Sequence, residues 1–315
     1  MLKTHSAILL VLLALLFPQH AFAKSQFLAL EEFGENPGQI SASYLNQDKK
    51  IDTFVVLLHG CVQNAQELAT RSGFVSLAKA NNVGLLLPQQ SDKNNIKRCF
   101  NWFSPGDTDK DSGETQSIVN MINYYKKQTK AQYVYIAGLS AGGAMTTNLL
   151  INYPRLFSGG GVIAGIPYPC ADNLIKAISC MRSGPSMPAK KLARQIKAIK
   201  QPWPPISIWT GLNDTVVNPL NSLYLARQWQ IMNHLEPTEK LAVHQGYRIT
   251  QWQDQQGNAQ IQLVEIENLD HGIAINSAQP HGGRAAPFVL ESPLSSAIEL
   301  FKFWKITNKT NQLQK

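Results

Sequence analysis

Cysteine is scarce here, with four in 315 residues, and charge is thin, with Asp, Glu, Lys and Arg supplying 16% of the chain. No Cys-x-x-Cys or His-x-x-x-His spacing occurs, so the sequence offers no support for a metal site, and no cofactor is expected. The net charge of +8 is not concentrated: Lys49-Lys50, Lys126-Lys127, Lys190-Lys191, Lys197 and Lys200 lie apart from one another. Without a dense basic run interleaved with aromatics, nucleic acid is excluded as an expected partner. The scattered lysines read as a solvated basic surface, one that would still favour anionic envelopes or polymers. There is no internal repeat and no low-complexity linker. Beyond the first residues, no apolar run is long enough to span a bilayer.

What is there begins with a leader. Lys3 and His5 precede an apolar run from Ala7 to Phe17, and Ala21-Phe22-Ala23 places small residues at a cleavage position. Residues 1–23 therefore read as a secretory signal peptide rather than a membrane anchor. No cysteine follows the run to accept a lipid. The expectation is an exported chain without an anchor, periplasmic or extracellular, of open oligomeric state, with residues 24–315 forming one α/β domain.

Export also bears on the four cysteines, Cys61, Cys99, Cys170 and Cys180, which allow three pairings. Chain order favours Cys61–Cys99, because each follows an apolar strand and both can reach one sheet edge. Cys170–Cys180 would then close a short loop. The alternative is free buried thiols.

Periodicity supplies the rest of the frame. Thr53–Leu58, Val83–Leu87, Gly161–Ala164 and Ile206–Thr210 are short apolar runs suited to strands buried on both faces. Glu67–Asn81, Glu114–Gln128, Leu220–Asn233 and Ser295–Trp304 carry helical spacing. Gln26–Ile51 reads as an N-terminal strand or hairpin. Tyr247–Gln253 and Gln260–Glu267 flank the turn Gln255-Gln256-Gly257-Asn258 and read as a terminal hairpin. Strands alternating with helices predict a mostly parallel sheet covered on both faces.

The chemistry centres on Val134-Tyr-Ile-Ala-Gly138-Leu-Ser140-Ala-Gly142-Gly-Ala-Met145. An apolar run ends in Gly-x-Ser-x-Gly and a helical stretch follows, the pattern of a nucleophile elbow. The bland alternative is a Gly/Ser turn with no chemistry. A serine hydroxyl needs a base, an acid to orient that base, and donors for the oxyanion. Asp214 follows the strand at Pro205–Thr210, and His271 follows the strand at Leu263–Ile266, so both fall at the same sheet edge as Ser140. Asp214 could instead cap the helix beginning near Pro219. His281 is the competing base and Asp270 the weaker competing acid. For the oxyanion hole, the backbone N–H groups of Ala141 and Cys61 are the expected donors, in Leu58-His-Gly60-Cys61-Val-Gln63. His59 reads as a structural histidine under this loop. Phe100, Trp102 and Phe103 either form an apolar platform over the site or belong to the core beside Cys99.

Four co-linear blocks together resemble the poly(3-hydroxybutyrate) depolymerase family of esterases, which also includes feruloyl and acetylxylan esterases. They are His59-Gly-Cys-Val-Gln63, Arg98-Cys-Phe-Asn-Trp-Phe103, Gly138-Leu-Ser-Ala-Gly-Gly-Ala-Met145 and Pro167-Tyr-Pro-Cys-Ala171. The resemblance implies an α/β-hydrolase fold and hydrolysis of carboxylic esters, with Ser140 as nucleophile, Asp214 orienting and His271 as base. It implies a hydroxyalkanoate polyester or its oligomers as substrate, with feruloyl or acetyl esters of plant polysaccharide as the alternative. Val62 and Thr210 depart from the family pattern, where Thr and His are expected. A non-catalytic binding protein of the same fold is the reading from another class.

Overall fold

Thr53-Phe-Val-Val-Leu-Leu58 has no polar alternate, and a strand with that composition must be covered on both sides. In the computed structural model, which describes residues 25–47, 50–236 and 239–306, it is. Phe54, Val56 and Leu58 pack on one face with Ile118, Ile122 and Leu149, while Val55 and Leu57 pack on the other with Leu68, Phe74 and Leu300. Each such side chain removed from water is worth about 1.5–3 kcal/mol, so the two-sided pattern places this strand at the centre of the sheet. The expected leader, residues 1–23, lies outside the described residues.

In chain order the elements begin with β1 (Phe27–Ala29), β2 (Ser41–Leu45), β3 (Thr53–Leu58), α1 (Ala65–Arg71), α2 (Phe74–Asn81) and β4 (Gly84–Gln89). There follow α3 (Pro105–Thr108), α4 (Gly113–Thr129), β5 (Tyr133–Leu139), α5 (Ala141–Asn152), β6 (Gly159–Ile163), α6 (Leu174–Ser183) and α7 (Ala189–Gln195). The remainder is β7 (Ile206–Gly211), α8 (Leu220–Met232), β8 (Lys240–His244), β9 (Tyr247–Gln253), β10 (Ala259–Ile266), β11 (Ile273–Ile275), β12 (Val289–Glu291) and α9 (Ser296–Phe303).

Ten of these strands form one sheet in the order β1-β2-β4-β3-β5-β6-β7-β10-β9-β8. From β4 to β10 neighbouring strands run parallel, and antiparallel pairs close both edges. Helices α4, α5 and α8 cover one face, and α1, α2 and α9 cover the other. The mostly parallel sheet expected from the sequence is therefore the one formed. Parallel strands share a carboxyl edge, and ligands of such sheets bind beyond it.

Several expectations need correction. The single helix expected over Glu67–Asn81 is two, broken at Gly73, whose φ of 89° is left-handed. A Cβ there would fall on the carbonyl of His281, so the segment 281–284 crosses at the break, and Arg284 N–H caps the Arg71 carbonyl at 2.7 Å. The expected terminal hairpin is present as β9 and β10, but β10 also pairs with β7 inside the main sheet. Strand β8 was not expected. All five of its residues are exposed, so it carries no alternation of buried and solvated positions to read.

The long segment between β4 and α4 is tied down by a buried carboxylate. Glu114, fully buried in the first turn of α4, accepts the Asn101 N–H at 2.8 Å, and its other oxygen accepts from the Gln90 and Asn94 amides. Burial pushes the Glu114 carboxyl up to about 8 from its ordinary 4.5, against the opposing pull of the Asn101 N–H. Folding thus favours the protonated form, and the unfolded chain releases its proton first as pH rises. The site's contribution to stability is complete below pH 4.5, falls as pH rises and is lost by about 8. Thermal melts of the wild type and Glu114→Gln across that range are expected to show the wild type losing stability relative to the variant up to pH 8. A pH-independent difference between the two would contradict this.

Candidate active site

Strand β5 runs straight into α5, and the single residue between them is Ser140. Its backbone, at φ 57° and ψ −118°, lies where only glycine is comfortable, at a typical cost of about 1–3 kcal/mol. The surrounding structure compensates by close packing. A Cβ on Gly138 would fall on the Gly142 carbonyl, and one on Gly142 would come within 2.6 Å of the His59 carbonyl. Glycine at these two positions lets strand, helix and the loop after β3 meet at one point. The Ser140 N–H is held by the Ile163 carbonyl at 2.9 Å.

Ser140 Oγ lies 2.9 Å from His271 Nε2, and His271 Nδ1 lies 2.8 Å from Asp214 Oδ2. The residue expected to supply the base and the one expected to orient it are thus both in bonding reach. Asp214 follows β7 and His271 follows β10, adjacent parallel strands, so the two loops emerge side by side. The Asp214 side chain is fully buried and His271 nearly so. Asp214 Oδ1 accepts the Val216 and Val217 N–H groups at 2.8 and 2.7 Å, in the turn before α8; it does not cap that helix, whose N-cap is Pro219 with no side-chain bond. With both oxygens engaged, it cannot rotate away from the imidazole.

Asp270 does not compete for the imidazole. Its Oδ1 accepts the Thr215 N–H, the Thr215 hydroxyl and the His271 N–H at 3.1, 3.0 and 2.7 Å, latching the histidine loop to the aspartate loop. Those donors, the Thr215 N–H foremost, hold its carboxyl below the usual carboxylate range. His281 lies elsewhere, with Nδ1 against the Ser76 hydroxyl.

Beside the serine sits the loop after β3. The Gly60 backbone lies against Ser140, since a Cβ there would stand 3.3 Å from the serine Cβ. Gly60 N–H goes to Gln63 Oε1 at 2.7 Å, and Val62 N–H goes to the Lys97 carbonyl at 2.7 Å. Among the described residues the Cys61 N–H between them meets no acceptor. Ala141, the first residue of α5, has an N–H with no partner inside the helix. Cys61 is bonded to Cys99 with Cα atoms 4.2 Å apart, and Cys170 to Cys180 at 6.3 Å, the two pairings expected from chain order. The Arg98 guanidinium adds a 2.7 Å bond to the Val62 carbonyl.

The aromatic platform is smaller than the sequence allowed. Phe100 is fully buried, its ring 5.0 Å from that of His59, so it is a core residue and not a surface for substrate. Trp102 and Phe103 remain half-buried and meet edge to face at 5.6 Å. Trp102 packs with Ala144, Val217 and Met181, which places it between the elbow helix and the Asp214 loop. Sequence reasoning missed Phe288, whose ring is 6.2 Å from His271 and 37% exposed. It belongs to an irregular segment with no motif around it. No cluster of three or more His, Cys, Asp or Glu able to hold a metal exists among the described residues. None of the helices described is long and apolar enough to cross a membrane.

Residues 12–258 match the family model described as esterase PHB depolymerase. Poly(3-hydroxyalkanoate) depolymerase C of Paucimonas lemoignei is 31% identical over 300 residues, covering 91% of this chain and 72% of the relative. Feruloyl esterase B of Thermothelomyces thermophilus is 28% identical over 232 residues, covering 67% and 76% respectively. Among solved structures, acetyl xylan esterase from Aspergillus awamori superposes with a TM-score of 0.74 at 17% identity, over 90% of this chain and 100% of that one. That likeness shows the α/β-hydrolase fold. The family match, together with the serine elbow at the carboxyl edge of the sheet, identifies the chain as a carboxylic ester hydrolase belonging to the esterase PHB depolymerase family.

Proposed function

We propose that this enzyme is an exported serine esterase that cleaves poly(3-hydroxybutyrate)-type polyesters or their oligomers through Ser140, His271 and Asp214. The observation that carries the reading is the unbroken hydrogen-bond chain of 2.9 and 2.8 Å from the serine oxygen through the imidazole to a buried carboxylate. In this mechanism His271 Nε2 takes the hydroxyl proton as Ser140 Oγ attacks the ester carbonyl. Asp214 holds the Nδ1 proton and so keeps Nε2 free to accept. The N–H groups of Ala141 and Cys61 receive the charge that develops on the carbonyl oxygen. The imidazolium then protonates the leaving alcohol, and water, activated by the same nitrogen, releases the acid.

The substrate reading is supported by the relative covering 91% of the chain, which is named for polyhydroxyalkanoate depolymerisation. The half-buried Trp102, packed between the elbow helix and the Asp214 loop, suits an apolar acyl chain. Relatives named for feruloyl and acetylxylan esters make plant polysaccharide esters the competing substrate. Export is supported by the two disulfides and by the leader-like residues 1–23.

Ser140→Ala is expected to lower kcat on a short-chain nitrophenyl ester by a factor on the order of 10⁶, and Asp214→Asn by about 10⁴. Retention of a tenth of the activity in either variant would remove the triad. For the substrate, clearing of emulsified hydroxybutyrate polymer is expected to exceed ferulate or acetate release from xylan; the reverse order would transfer the enzyme to the polysaccharide esters. N-terminal sequencing of the exported protein is expected to begin at Lys24.

A further inference from the structure

A cavity of about 370 Å³ opens beside the site, lined by Val62 and Gln63 of the loop after β3, by Arg71 and Arg98, and by Pro287 and Phe288. Its volume lies within the range of ligand pockets, roughly 300–1,000 Å³. Two of its walls border the triad. The Phe288 ring stands 6.2 Å from that of His271, and Val62 follows Cys61 in the loop that lies against Ser140. Val62, Arg98 and Phe288 have φ of 60°, 50° and 61°, in a left-handed region that β-branched and bulky residues rarely enter. Each is held there by the chain around it. The Val62 N–H goes to the Lys97 carbonyl at 2.7 Å, the Arg98 N–H to the Asn95 carbonyl at 2.6 Å, and the Phe288 carbonyl accepts the Ile273 N–H at 2.9 Å. Strain of this kind gathers at ligand clamps. Val62 and Phe288 remain 45% and 37% exposed, so the cavity keeps an uncovered apolar surface. It also carries positive charge. Arg98 Nη2 donates to the Val62 carbonyl at 2.7 Å, and among the described residues no carboxylate pairs with this guanidinium. Arg71 is offset by Glu67, the one acid among the lining residues, at a loose 4.0 Å. Apolar walls beside an unpaired guanidinium fit an aliphatic chain that ends in a carboxylate.

The chemistry of the ester says which end of the substrate that is. In the mechanism above His271 Nε2 protonates the leaving alcohol, so the alcohol departs along the imidazole, and Phe288 borders that same ring. We propose that this cavity receives the leaving alcohol and that Arg98 holds its terminal carboxylate. In a hydroxyalkanoate ester the leaving alcohol is itself a hydroxy acid. Its hydroxyl forms the scissile bond, and its far end carries either the next ester or, at the end of the chain, a free carboxylate. Hydrolysis breaks the bond between acyl carbon and alcohol oxygen; water supplies the hydroxyl to the acid and the proton to the alcohol. The terminal carboxylate is unchanged throughout and serves only as a handle. The enzyme therefore selects chain ends and short oligomers with a free acid over the interior of a long chain. The inference rests on the polyester reading above and names the part of the polymer on which the site acts.

The test compares the linear trimer of 3-hydroxybutyrate with its terminal carboxamide, which has the same ester bonds and no charge. Cleavage of either ester of the acid leaves the carboxylate on the alcohol. The wild type is expected to favour the acid by about 10–100-fold in kcat/KM, expressed mainly in KM, the value of a hydrogen bond to a charged group. Arg98→Gln is expected to bring that ratio within about threefold of unity. Because Arg98 also holds the Val62 carbonyl, the variant loses rate on both substrates, and only the ratio reports the clamp. An unchanged ratio in Arg98→Gln overturns the proposal. Should the variant fail to fold, the position of the charge decides in the wild type. Nitrophenyl hemisuccinate, whose carboxylate sits on the acyl part, is expected to gain nothing over its neutral amide counterpart. A gain equal to that of the trimer is general attraction to a basic protein and overturns the clamp. Equal cleavage of acid and carboxamide trimers by the wild type removes this proposal alone. Cleavage of neither, by an enzyme that hydrolyses nitrophenyl butyrate, removes the polyester reading and the proposal with it.

Discussion

The imidazole of His271 is the hinge on which the site depends, because it alone touches both the elbow serine and the buried acid. Its two bonds are short only if three loops from non-adjacent parts of the chain arrive together. Strand pairing does most of that work. Ser140 leaves β5, Asp214 leaves β7 and His271 leaves β10, and these strands run in the same direction within one sheet. Fine placement is then left to polar latches. Asp270 joins the histidine loop to Thr215, and the Val216 and Val217 amides hold the acid from behind. The imidazole is thereby fixed by bonds among the protein's own loops, as preorganised sites require.

The same logic governs the opposite side of the serine. The loop after β3 is fastened by a disulfide, by the Lys97 carbonyl, by Arg98 and from beneath by His59. Glu114 extends this support. It binds the backbone at Asn101, next to Trp102, and the side chain of Gln90, whose own N–H reaches His59. A buried acid, a neutral histidine and a covalent bridge therefore share one task, holding two adjacent loops still against the elbow. Rigidity here offsets the strain carried by Ser140.

Much of this was legible in the sequence because its signals are local. The elbow is spelled out in consecutive residues, and Gly138 and Gly142 announce a close approach that the backbone confirms. Apolar runs such as Thr53–Leu58 read as central strands because burial on both faces leaves no polar alternate. What escaped has a common cause: the deciding partner lies far away in sequence. The break at Gly73 is set by a segment some 210 residues later, and a helical pattern running through Arg71 to Val75 hides it. Strand β8 is recruited at an edge by backbone pairing alone, with exposed side chains that carry no message. Phe100, within a run of aromatics, looks like Trp102, and only the packing against His59 separates them. Asp270 resembles a spare acid until Thr215 is found beside it.

The order in which these pieces occur along the polypeptide has a consequence for biogenesis. Ser140 and His271, the proposed nucleophile and base, are separated by 131 positions, and the histidine follows the last strand added to the parallel block. A ribosome working from the amino terminus delivers the serine, its elbow and the loop after β3 long before the histidine emerges. Under the proposed mechanism, the polypeptide would be silent toward esters until β10 has docked beside β7. On that mechanism, hydrolytic power would switch on only when the last third of the chain has been made and seated.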